Sequence, residues 1–108
     1  ATQTTIHAFT VPASTTYMIE ANVQARRTGG VAGTAEDGAG YTITGTYKNV
    51  AGTATLIGTI LLGYTAESQV LWDATFTVSG ATVLCRVTGA VSNNVSWTMT
   101  ARVWSVGT

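Results

Sequence analysis

Charge is scarce in this chain. Only 9% of its 108 residues are Asp, Glu, Lys or Arg, against roughly 25% in an ordinary soluble domain. Five basic residues balance five acidic ones, so the formal net charge is zero. That argues against a basic nucleic-acid binder and against a disordered polyelectrolyte. Leu, Glu and Lys are too few for a coiled coil. No apolar run approaches the roughly 18 residues of a membrane-spanning helix, so no membrane insertion is expected. One cysteine, Cys85, leaves no intramolecular disulfide and no thiolate cluster for zinc. Cys85 reads as a small buried apolar side chain within Val83–Val87. The chain begins at Ala1 with no charged-then-apolar leader. It is therefore expected to be a fragment or processed product of a longer protein.

What is abundant is threonine, glycine and period-two alternation. Tyr17–Arg27 sets Tyr17, Ile19, Ala21, Val23 and Ala25 against Met18, Glu20, Asn22, Gln24 and Arg26, a half-buried strand pattern. Val70–Val78, Ala81–Thr88 and Val95–Val106 alternate in the same way, with threonine common on the outer rows. Thr5–Val11 alternates weakly, and Tyr41–Lys48 sets Tyr41, Ile43, Gly45 and Tyr47 on one row. Thr53–Leu62 ends in a continuous apolar run, which predicts burial on both faces, in the core or at a subunit contact. Turn signals fall at Val11–Ser14, Asn49–Gly52, Ser79-Gly80 and Gly89–Asn94. About seven short strands with no helical period predict one all-β domain over residues 1–108, an antiparallel β-sandwich or jelly-roll-like module. Two longer connections are expected: Thr28–Gly40, thirteen residues rich in glycine, and Gly63–Gln69. Long loops of that kind are often functional.

No catalytic set is visible. The lone histidine, His7, has no nucleophile motif beside it and reads as an ordinary strand residue. Glu36-Asp37 reads as a solvated loop tip, with calcium binding a minor alternative; its spacing matches no calcium motif. The glycine-rich loop lacks the P-loop Lys and leads into a strand, which excludes phosphate cradling of that type. No cofactor or metal is expected. Arg26-Arg27 either pair with Glu36 or Asp37 or stand free to grip an acidic sugar or a neighbouring subunit. Trp72 and Trp97 lie on inward rows and read as core. Trp104 lies on the opposite row from Trp97, so it is expected to be exposed unless a partner covers it, and an exposed tryptophan there points to an interface or a sugar platform.

Several segments in order carry a family resemblance: Tyr17-Met-Ile-Glu-Ala-Asn-Val-Gln-Ala-Arg-Arg-Thr-Gly-Gly, Gly38-Ala-Gly-Tyr41, Tyr47-Lys-Asn-Val-Ala-Gly-Thr53, Trp72-Asp-Ala74, Arg86-Val-Thr-Gly-Ala90 and Val95-Ser-Trp-Thr-Met-Thr-Ala-Arg-Val103. Together they resemble the carboxy-terminal module of bacteriophage tail fibres and tailspikes. The resemblance spans nearly the whole chain and rests on order and spacing, not on any one motif. It implies a homotrimeric receptor-binding tip or trimerisation cap, in the virion tail and so extracellular. It carries over no catalytic residue. The expected receptor is a bacterial surface polysaccharide or lipopolysaccharide. The side chains chosen on chemical grounds to meet it are Arg27, Glu36, Asp37, Tyr41, Tyr64, Glu67 and Trp104. Two rival readings stand beside this one: a purely structural trimerisation cap, and a monomeric carbohydrate-binding module of a secreted protein.

Overall fold

A computed structural model describes residues 3–108. The strands follow from the alternation: β-branched and aromatic side chains fill inward rows, and threonines face outward. They are β1 (Thr4–Thr10), β2 (Thr15–Gly30), β3 (Gly38–Val50), β4 (Thr53–Glu67), β5 (Asp73–Ser79), β6 (Thr82–Thr88) and β7 (Asn93–Gly107). All pairings are antiparallel, in a three-stranded sheet β1-β6-β5 and a four-stranded sheet β4-β3-β2-β7. The chain is thus an all-β sandwich, as its alternation predicts.

The core lies between the two sheets. The longer sheet contributes Ile19, Ala21, Val23, Tyr41, Ile43 and Tyr47; the shorter contributes Phe9, Phe76, Val83, Cys85 and Val87. Aromatic rings tie the layers: Tyr47 meets Phe76 edge-on at 6.4 Å, and Trp72 meets Trp97 at 6.2 Å. Deleting a ring such as Phe76 here costs about 3–5 kcal/mol, because the rigid surroundings cannot close the cavity. The buried Cys85 thiol is pushed up to about 11 by desolvation, which keeps it neutral and unreactive.

Strand lengths give the molecule its shape. It measures 51 × 22 × 19 Å, and a sixteen-residue strand such as β2 extends about 53 Å at 3.3 Å per residue. The three strands of the other sheet hold only seven residues each. The short sheet therefore covers one face of the long sheet's middle and leaves the opposite face open.

Several boundaries differ from the sequence expectation. The Thr28–Gly40 loop shrinks to Val31–Asp37, because β2 runs on through a bulge at Thr28 to pair Gly29 and Gly30 with β7, and Gly38–Gly40 pair with β2 and β4. Glycine pairs through its backbone as well as any residue does, so a glycine-rich stretch can hide a strand. Gly63–Glu67 likewise belongs to β4. Val70 and Leu71 precede β5 and lie exposed in the turn. The β5–β6 hairpin turns at Gly80-Ala81, one residue later than expected, with Gly80 at φ +57°. The apolar run of β4 is not buried on both faces: Leu56 and Ile60 pack on the core, while Ile57, Leu61 and Leu62 are exposed. Two register shifts against β3 break its alternation, the signature of β-bulges on an edge strand.

Candidate functional site

Chain direction collects three connections at one end of the sandwich: Val31–Asp37, Ser68–Trp72 and Gly89–Ser92. Loops gathered at one end of a rigid sandwich are the usual place for recognition. The turns Val11–Ser14, Ala51-Gly52 and Gly80-Ala81 lie at the opposite end.

At the loop end, a shallow groove of about 560 Å³ lies along the β3–β4 edge. Its floor is the backbone of Gly38 and Gly40, and its walls include Glu36, Tyr64, Glu67 and Ser68. A methyl group built on Gly40 would stand 3.8 Å from Tyr64 Cε2, so the ring leans over the bare glycine. Tyr64 is 60% exposed. It lies on the paired part of β4, opposite Thr42, and not in a loop.

Behind the groove, the Tyr41 hydroxyl donates to Glu67 Oε2 at 2.5 Å. Tyr41 was expected to face a receptor, but its ring is buried and stacks on Trp97 at 6.3 Å. The reason is its place on the inward row with Ile43 and Tyr47. Burial and the Glu67 carboxylate both push its hydroxyl well above the usual range, so it stays a neutral donor. It acts through Glu67, whose carboxylate it holds.

The loop above is fixed from two sides. Asp37 Oδ2 accepts from the Thr34 backbone N–H at 2.8 Å and from Gln69 Nε2 at 2.7 Å. These bonds, the Thr34 one foremost, and the Arg27 charge hold its carboxyl below the ordinary value. Arg27 Nε donates to the Ala32 carbonyl at 3.0 Å and to Asn93 Oδ1 at 3.1 Å, while Nη2 donates to the Gly30 carbonyl at 2.8 Å. Arg27 is thus occupied in bracing the loop. Gly33 is required where this brace closes: at φ +77°, a Cβ would fall 2.3 Å from Asn93 Oδ1. Arg26 and Glu36 form an exposed ion pair at 3.5 Å, a geometry worth little energetically.

Trp104 lies far from this groove. It pairs with Met18 near the other end of the long sheet. The structure therefore brings Glu36, Asp37, Tyr41, Tyr64 and Glu67 together, places Arg27 beneath their loop, and sets Trp104 apart. Sequence reasoning held Gly38 and Gly40 only as the end of the long Thr28–Gly40 loop and Gln69 only as the end of Gly63–Gln69, with no role of their own. The Gly-x-Gly alternation of a strand, with both glycines on one face, is the signal that points to a bare floor. Gln69 has no such signal. Among the described residues, no group of three or more His, Cys, Asp or Glu side chains is placed to hold a metal ion. His7 lies edge-on to Phe9 at 4.6 Å on β1.

Comparison of the chain with protein-family models, with curated proteins and with solved structures finds no match.

Proposed function

We propose that this chain is a non-enzymatic terminal module of a phage tail fibre or tailspike, trimeric in the virion tail, that attaches to a bacterial surface polysaccharide or lipopolysaccharide. The observation that carries the attachment is the groove at the loop end. An exposed tyrosine ring offers a face for sugar C–H groups. Glu36 beside it offers an acceptor for sugar hydroxyls, and charged acceptors make the stronger hydrogen bonds. The groove is shallow, so a single site is weak, and three on one tip gain affinity on a repetitive surface through effective concentration.

The test is binding of the intact chain to immobilised bacterial surface polysaccharides, wild type beside Tyr64→Ala. The reading predicts specific binding that the substitution removes. Absence of binding to every polysaccharide, with assembly intact, leaves the purely structural cap as the better account. The exposed apolar side chains at the other end of the long sheet favour that second reading. A monomer that still binds sugar points to the carbohydrate-binding module of a secreted protein.

A further inference from the structure

The long sheet has an outward face that no strand of this chain covers. Pairing registers place side chains on it in rows. Trp104, Met18, Thr46 and Ile57 form one row across β7, β2, β3 and β4. The next row holds Arg102, Glu20, Thr44 and Leu61. Val106 stands two residues beyond Trp104 on the same side of β7. Towards the loop end the rows become polar, with Asn22, Thr42 and Thr100 and then Gln24, Gly40 and Thr98.

The apolar half of this face is large. Met18 is 39% exposed, Ile57 44%, Leu61 64%, Trp104 45% and Val106 74%. Those five side chains leave on the order of 550 Å² open, at the upper end of the largest patch seen on monomers. That is the larger part of the roughly 800 Å² that each partner gives to a stable interface. The only charges in these two rows are Glu20 and Arg102, neighbours of opposite sign across β2 and β7. The row of Val106 adds Thr16, Lys48 and Thr55, so the half-face carries Glu20, Arg102 and Lys48, while the chain as a whole has zero net charge and does not repel its copies.

We infer that this half-face, centred on Trp104, Met18 and Leu61, is buried against further copies of this chain, leaving the glycine-floored groove open at the other end. The inference rests on the trimeric reading and adds the surface that makes the assembly. Copies brought together here bury Trp104 and let Glu20 of one chain reach Arg102 of the next.

Sedimentation equilibrium of the wild type, Trp104→Glu, Leu61→Arg and the control Thr98→Lys tests it. Thr98 lies on the polar half of the same face and is exposed. The expected result is an assembled wild type and control, with both apolar-site variants reduced to single chains. Circular dichroism should show an unchanged β signature, because neither side chain belongs to the core. An assembled wild type whose two variants also stay assembled overturns the choice of face and leaves the assembly standing. A monomeric wild type overturns both. If a variant loses its β signature, quenching of wild-type tryptophan fluorescence decides. Beside Trp104→Phe it isolates Trp104, whose shielding from a soluble quencher supports the inference and whose free access overturns it.

Discussion

The Tyr41 hydroxyl donates to Glu67 Oε2 at 2.5 Å, joining the buried aromatic core to the groove wall. Tyr41→Phe keeps the ring in its stack on Trp97 and removes only that bond. The expected stability loss is about 1.5–3 kcal/mol, the usual worth of a hydrogen bond to a charged group. Urea unfolding measures it.

Gly40→Val tests the groove floor without touching the core. Gly40 sits in a strand with nothing nearer to an added Cβ than Tyr64 Cε2 at 3.8 Å, and valine suits a pleated surface. The variant should fold and assemble as wild type while the larger side chain fills the hollow. At least a tenfold loss in polysaccharide affinity is expected, roughly 1.4 kcal/mol, read by surface plasmon resonance.

Arg27→Ala should loosen the loop end alone. It removes three hydrogen bonds, to Ala32, Gly30 and Asn93. Amide exchange should quicken across Val31–Asp37 while the central strands keep their protection, because local openings need not involve the core. Equal exchange in the two proteins would show that Asp37 and Gln69 suffice to hold the loop.

Alkaline pH should destabilise the fold in a defined window. Burial raises Cys85 from 9.0 to about 11 and Tyr47 from 10.0 to about 12. Both are neutral in the folded chain while the unfolded chain already ionises, so stability is full below pH 9 and falls between about pH 9 and 12. Thermal melts across that range check it, and Cys85→Ala should flatten the first part of the decline.

Most of the sandwich was legible from alternation, since side chains two apart share a face wherever one face is buried. Ile19, Ala21, Val23, Val83, Cys85 and Val87 are core for that reason. Legibility failed where glycine carried the strand, at Gly29, Gly30, Gly38 and Gly40, because a residue without a side chain leaves no alternation to read. It failed again where bulges shift the pattern, after Thr5 in β1 and around Gly58 in β4. Trp104 was recognisable as off its row, but its neighbours Met18 and Ile57 depend on register between strands, which no single strand encodes. The groove had the same limit: Glu36 and Glu67 lie thirty-one positions apart in the chain, and only the β3–β4 pairing sets them on one hollow.

The mass of the chain in solution at micromolar concentration tests the central claim most directly. A trimeric attachment module predicts three chains of 11.2 kDa each moving as one species by sedimentation equilibrium. The mass of a single chain would contradict it.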